Sequence, residues 1–175
     1  IIHTTLACDA NQLTFRRLEQ HYGVPRLCID VPNRADEESI AYVAGQLRQM
    51  GRFIGENTGT TLDEHALKES VARSRDTISN YRQYLMIRAE KTIEPDMTGE
   101  MLPLFGLQVL LGSQQALTYS RLLLRDIKVQ PKAQKDRKRI LWLHTLPNWQ
   151  HGLEDIFVET RVELLGCDLA MSGLI

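Results

Sequence analysis

The sequence predicts an α/β protein, on three observations. Short apolar strands flank a helix-period stretch over residues 1–31, and the same strand–helix–strand order returns over residues 139–171. Between them, three long stretches carry apolar residues at three- and four-residue intervals. Three helices in succession cannot alternate with strands. The order therefore predicts two partial parallel-sheet lobes, Rossmann or flavodoxin-like, joined by three long helices. The expected boundaries are residues 1–35 for the end of a first lobe, 36–127 for the helical segment, 128–138 for a linker and 139–175 for the start of a second lobe.

Each element has its own warrant. Residues 1–6 read as a short buried strand, and Asp9 or Asn11 can cap a helix to about Tyr22, with Leu13, Phe15, Leu18 and Tyr22 near helical spacing. Gly23 ends it, residues 25–31 form the next strand, and Pro32 stops that strand. This is a βαβ-type unit, whose crossover is expected to be right-handed. Ile40, Val43, Leu47, Met50 and Ile54 then mark an amphipathic helix, broken by the stretch from Gly55 to Gly59. Thr61 or Asp63 caps the next helix, in which Leu67, Val71, Ile78, Tyr81, Leu85 and Ile87 run to about Lys91. At about 1.5 Å per residue it is roughly 40 Å long. A third helix is expected from Glu100 to about Ile127, with Pro103 tolerated in its first turns.

The polar stretch 128–138, with Pro131, reads as a linker. Residues 139–144 then read as a strand, 145–148 as a turn, 149–165 as a helix and 167–171 as a strand. His3-Thr4 and His144-Thr145 are a short likeness between the two strand ends, so the pseudo-repeat rests on element order. The first residue is Ile1, not Met, and both ends fall in strand-like runs, so the sequence reads as an excerpt of a longer chain.

Composition excludes several classes of function. With 21 basic and 22 acidic residues the formal charge is −1, so no global field recruits nucleic acid or an anionic membrane. The longest apolar run, around Leu122 to Leu124, is broken by Arg121 and Arg125, far short of the roughly 20 residues that span a bilayer. No secretory signal pattern is visible. Cys8, Cys28 and Cys167 are odd in number and widely spaced, which argues against a disulfide framework and fits a reducing cytoplasm. There is no CxxC and no histidine pair at helical ligand spacing, so nothing indicates a mononuclear zinc site.

Among candidate residues, Cys8 stands out by position. It lies between a strand and the helix that follows, and in a parallel sheet such loops sit at the carboxyl edge where ligands bind. A helix start lowers a thiol's pKa, although a buried structural thiol is the plainer reading. Cys28, within a strand, and Cys167, at the start of one, read as small core residues. Of His3, His21, His65, His144 and His151, the first and fourth are expected at strand carboxyl ends, where a hydrogen-bonding or acid–base role competes with a structural one. Gly55-Glu56-Asn57-Thr58-Gly59-Thr60 lacks the lysine and the preceding strand of a phosphate loop, and reads as a helix connector. Trp142 and Trp149 flank the Pro147 turn as packing anchors.

The run Thr4-Thr5-Leu6-Ala7-Cys8-Asp9, the helix after it, and Val24-Pro25-Arg26-Leu27-Cys28-Ile29-Asp30-Val31-Pro32 together resemble the 2-hydroxyacyl-CoA dehydratase family, which includes the 2-hydroxyglutaryl-CoA dehydratase D-component and benzoyl-CoA reductase subunits. The resemblance continues through Tyr42-Val43 to Gln46-Leu47, the Gly59 to Leu67 connector with Thr61-Leu62-Asp63, Asn80-Tyr81-Arg82, and Arg139-Ile140-Leu141-Trp142. It looks like the middle of a subunit. The resemblance implies that Cys8 is one thiolate ligand of a [4Fe-4S] cluster whose other ligands lie outside this segment. It further implies a radical elimination of water from (R)-2-hydroxyacyl-CoA, in which one electron makes a ketyl of the thioester carbonyl and renders the β-hydrogen acidic. A second dehydratase subunit, an ATP-hydrolysing activator protein, an acyl-CoA substrate and a cytoplasmic, anaerobic setting follow from the same resemblance. A family subunit contributes three cysteine ligands and only Cys8 matches here, so the segment alone is expected to hold no cluster, to be inactive, and to self-associate through exposed sheet edges. Residues 135–139 are a basic linker whose contact with coenzyme A phosphates is a minor alternative. The rival readings are a benzoyl-CoA reductase-type subunit, a non-catalytic partner subunit, or a two-lobed ligand-binding protein.

Overall fold

The computed structural model describes residues 1–6, 9–94, 96, 98–134, 136–144, 147 and 152–171. It is mixed α/β and divides into two compact units, Ile1–Glu64 and His65–Ile175. No helix among the described residues is long and apolar enough to cross a membrane.

In the first unit, β1 (Ile2–Thr4) and β2 (Leu27–Ile29) pair in parallel, with Ile2 opposite Leu27 and Thr4 opposite Ile29. The ladder is extended at both ends by Leu27 N donating to Ile1 O at 2.9 Å and Thr5 N donating to Ile29 O at 3.0 Å. The connecting helix α1 (Asp9–Tyr22) stops where Gly23 takes φ +61°, a left-handed turn that costs glycine nothing. His3 and Ile29 are the buried side chains among the described residues of this unit, and the imidazole of His3 stacks on Phe15.

Helix α2 (Glu37–Thr58) starts because Asp36 is extended and its carboxylate accepts from Ser39 N at 2.8 Å. The Ser39 hydroxyl, together with that backbone bond, holds the Asp36 carboxyl below its usual value. The helix runs through the Gly55 position, where the sequence suggested a break, and ends at Gly59 with φ +69°. The glycine at 55 serves a close approach instead, since a Cβ there would lie 2.8 Å from Thr60 O. None of the α2 side chains is buried.

The second unit opens with α3 (Glu64–Arg88), the long helix expected from periodicity. The single third helix expected over 100–127 is not formed. In its place come a 3₁₀ turn (Gly99–Met101), α4 (Leu102–Leu104), a π-helical turn (Phe105–Val109) and, after a turn, α5 (Gln114–Val129). Gly112 explains the interruption. It adopts φ +90°, its carbonyl accepts from Arg73 Nε at 2.7 Å and Ser70 Oγ at 3.2 Å, and Ser113 then caps α5 by accepting from Ala116 N at 3.1 Å. A Cβ at Gly112 would collide with Ser70 Oγ.

Tyr81, Tyr84, Leu107 and Ile127 form the core between α3, the π turn and α5. A second cluster of Phe157, Leu164 and Cys167 lies under β3 (Lys138–Trp142) and β4 (Val162–Cys167), which pair in parallel with a register shift between Ile140 and Trp142. The C-terminal elements therefore differ from expectation. Helix α6 (Gly152–Glu159) ends early, β4 takes in residues 162–165 that were expected to be helix, and 168–171 belong to the short helix α7 (Asp168–Met171) rather than a strand. The cause is Arg161, at φ +54°, after which Val162, Leu164 and Leu165, with the buried Glu163 among them, suit a strand covered on both faces.

The core tyrosines give this unit a pH signature. Burial raises the phenols of Tyr81, Tyr84 and Tyr119 above their ordinary value, Tyr119 to about 12. Their contribution to stability is complete below the unfolded-state value of about 10 and is lost as pH rises through the folded-state values. Alkaline titration followed by circular dichroism and phenolate absorbance is expected to show unfolding coupled to tyrosine ionisation across that interval. Tyrosines that ionise without loss of structure would contradict the burial.

Candidate functional site

The carboxyl edge of β1 and β2 gathers polar side chains from three elements. Thr5 follows β1, Asp30 follows β2, and Tyr42 and Gln46 stand four residues apart on α2, which places them on one helix face. Gln46 brackets the backbone of Asp30: its Oε1 accepts from Asp30 N and its Nε2 donates to Asp30 O, both at 2.7 Å. The Asp30 carboxylate accepts from Thr5 Oγ1 at 3.1 Å and from the Tyr42 hydroxyl at 3.2 Å. Thr5 Oγ1 also accepts from Val31 N at 2.8 Å. Tyr42 lines a cleft of about 450 Å³ with Pro32, Arg34, Asp36 and Ser39 at the start of α2. An ordered polar edge beyond parallel strands is where α/β proteins place ligands.

The hydrogen bond to Asp30, reinforced by its negative charge, raises the Tyr42 phenol above its usual value. Removing the charge removes the cause, so in Asp30→Asn the phenol is expected to ionise at lower pH than in the wild type. Site-resolved NMR titration of the tyrosine ring measures this, and an unmoved titration would mean that the contact does not persist in solution.

Cys8, the principal sequence candidate, lies outside the described residues. Cys28 is half-buried in β2, opposite His3. Cys167 is buried at the end of β4, where its thiol donates to His144 O at 3.2 Å and lies 3.7 Å from Asp168 Oδ1. His3 is the middle residue of β1 rather than its carboxyl end. Its Nε2 accepts from Arg26 at 2.9 Å, and Arg26 is bound in turn by Glu19 at 2.7 Å, so packing and a guanidinium hold the ring. His144 follows β3 with φ +72°, its amide donating to Asp168 Oδ1 at 2.7 Å. His21 and His65 are exposed, and His151 and Trp149 lie outside the described residues. Trp142 packs near Phe157, with ring centroids 6.5 Å apart. Residues 55–58 are the last turn of α2 rather than a connector, and the link to α3 starts at Gly59; in the basic stretch Arg137 and Arg139 face Glu94 and Glu163, while Lys135 lies outside the described residues.

Sequence reasoning missed the Thr5, Tyr42 and Gln46 partners of Asp30. The available signal was an aspartate closing a strand before proline, followed by a helix whose polar residues recur four apart. It also missed two buried charged groups in the second unit, the Arg88–Glu100 pair and Glu163, which accepts from Ile93 N and faces Arg139, for which the sequence holds no local signal.

An iron–sulfur cluster needs several thiolates. Among the described residues no group of three or more His, Cys, Asp or Glu side chains converges as a metal site, and Cys28 and Cys167 lie in separate strand pairs. The described donors therefore do not fit a cluster by themselves. No curated protein matches the chain. The family of the 2-hydroxyglutaryl-CoA dehydratase D-component matches residues 1–172, both β-strand pairs and the polar edge included, and the chain belongs to that family.

Proposed function

We propose that this chain forms part of a subunit of a 2-hydroxyacyl-CoA dehydratase, a hydro-lyase that removes water from (R)-2-hydroxyacyl-CoA thioesters by a radical route. The observation that carries the reading is the family match along residues 1–172, which takes in the Cys8 connection and the polar edge around Asp30. Within it, Cys8 serves as one thiolate ligand of a [4Fe-4S] cluster completed by cysteines outside this sequence, because Cys28 and Cys167 belong to strands. We assign residues 1–35 and 139–175 to two α/β lobes, 36–127 to the helical segment between them and 128–138 to a linker. The working complex comprises a second dehydratase subunit, an ATP-dependent activator and the acyl-CoA substrate, in the cytoplasm. By itself the 175-residue chain holds no cluster and is inactive, since one available thiolate does not hold iron and sulfide.

The test is anaerobic purification of the subunit with its partner, followed by iron and sulfide analysis and assay with the activator against a panel of (R)-2-hydroxyacyl-CoA thioesters. Bound iron and sulfide, with formation of the unsaturated thioester only when activator and ATP are present, is the expected result. A colourless complex that binds thioesters without turnover would replace this reading with that of a binding protein.

A further inference from the structure

We propose that Gln12, Arg16 and Arg26 form a binding site for the phosphate groups of a small ligand, on the flank of α1 and apart from the polar edge around Asp30. With Leu13 they line a cleft of about 340 Å³, and no carboxylate among the described residues lines it. That volume is at the lower end for small-molecule sites. The cleft is rich in donors and poor in acceptors. Of the five N–H groups of Arg26, two are taken by Glu19 Oε2 and His3 Nε2, and the other three have no partner among the described residues. The side chains of Arg16 and Gln12 make no hydrogen bond or ion pair among the described residues. Two guanidinium groups repel one another across a shared cleft unless an anion lies between them. A phosphate does this best, because its oxygens match the planar N–H pairs of arginine two at a time.

The way Arg26 is held distinguishes it from a solvated surface residue. Arginine only donates, so His3 Nε2 is the acceptor and the ring proton sits on Nδ1. His3 is 7% exposed, and its Nδ1 has no partner among the described residues. A buried donor without a partner costs about 1–3 kcal/mol. An apolar side chain at this position of β1 would avoid that cost, so the imidazole is explained by what it does for Arg26. Stacked on Phe15, and together with Glu19, it fixes the guanidinium before any ligand arrives. Leu13 and Arg16 also line a neighbouring groove of about 630 Å³ along α1, walled in part by Leu18 and Tyr22. A free diphosphate fills the cleft alone, and the diphosphate of coenzyme A would leave the rest of that molecule for the groove.

The test is calorimetric titration of the full subunit, in its complex, with pyrophosphate and with coenzyme A, for the wild type, Arg16→Gln, Arg26→Gln and Arg48→Gln. Arg48 is exposed on α2 and lies outside the cleft, so its loss changes the net charge equally. The wild type is expected to bind one or both compounds. Arg16→Gln is expected to weaken that binding about tenfold to a hundredfold, the loss of one charge-assisted contact, and Arg48→Gln to leave it unchanged. Because Arg16 is exposed and bonds to nothing in the fold, its variant is expected to keep the wild-type thermal midpoint, so the result stands even if Arg26→Gln loosens the sheet. Pyrophosphate bound at least as tightly as coenzyme A identifies the diphosphate alone as the ligand, and tighter coenzyme A brings in the groove. Absence of Arg16-dependent binding of either compound would overturn the site, and so would equal weakening in Arg48→Gln. The dehydratase reading is tested by iron, sulfide and turnover, so either conclusion can fail while the other stands.

Discussion

Replacing Arg88 by methionine is expected to destabilise the second unit by about 3–5 kcal/mol, the cost of leaving a buried charge without its partner. The Arg88 and Glu100 side chains are only 4% and 9% exposed and pair through two nitrogens and two oxygens. The same guanidinium donates to the Tyr84 hydroxyl at 3.1 Å and to Leu164 O at 2.9 Å, and lies 5.8 Å from the centre of the Tyr84 ring. It thus joins α3, the 3₁₀ turn and β4. Burial by itself would lower its pKa, but the hydrogen bond and charge of Glu100 hold it above the ordinary arginine value. The charge on Arg88 therefore persists throughout the pH range in which the fold can be studied. Urea unfolding of the single variants and of Arg88→Met with Glu100→Leu checks this. The double variant is expected to recover most of the loss, because no unpaired carboxylate remains buried. A single-variant loss below about 1 kcal/mol, the range of an exposed pair, would show that water reaches the site.

The second large effect concerns Cys8. In the purified dehydratase complex, Cys8→Ala is expected to abolish iron incorporation and turnover while leaving the thermal midpoint of the subunit's fold little changed, since loss of a ligand affects the metal before the core. Cys167→Ala is expected to do the reverse. The residue is 2% exposed in the cluster with Phe157 and Leu164 and its thiol donates to His144 O, so truncation costs about 1–2 kcal/mol of stability with iron retained. Iron analysis and thermal denaturation of the two variants, side by side, separate the roles. Wild-type iron in Cys8→Ala would contradict the assignment.

The parts legible in the sequence were those set by local physics. Helices α1, α2 and α3 follow from apolar spacing and from stop signals such as Gly23, and the strand–helix–strand order at each end follows from short apolar runs. Two failures share a cause. Leu102 to Leu111 fits helical spacing, and Val162 to Leu165 is apolar enough for helix or strand, so in both places conformation is decided by a left-handed residue, Gly112 in one and Arg161 in the other. For the site, Asp30 was visible only as part of the strand run that Pro32 stops. Gln46, sixteen residues away, was not, because a side-chain amide that pairs with main chain leaves no trace in periodicity.

The registers of the two parallel pairs carry a kinetic consequence. Ile2 meets Leu27 and Lys138 meets Val162, so each ladder closes a loop of about two dozen residues within its own unit. Closure entropy grows only with the logarithm of loop length, so the two closures oppose folding almost equally. Neither ladder requires the other to form first. Refolding from denaturant is therefore expected to nucleate separately in the two units, so that a substitution slowing closure in one leaves the rate of the other unaltered.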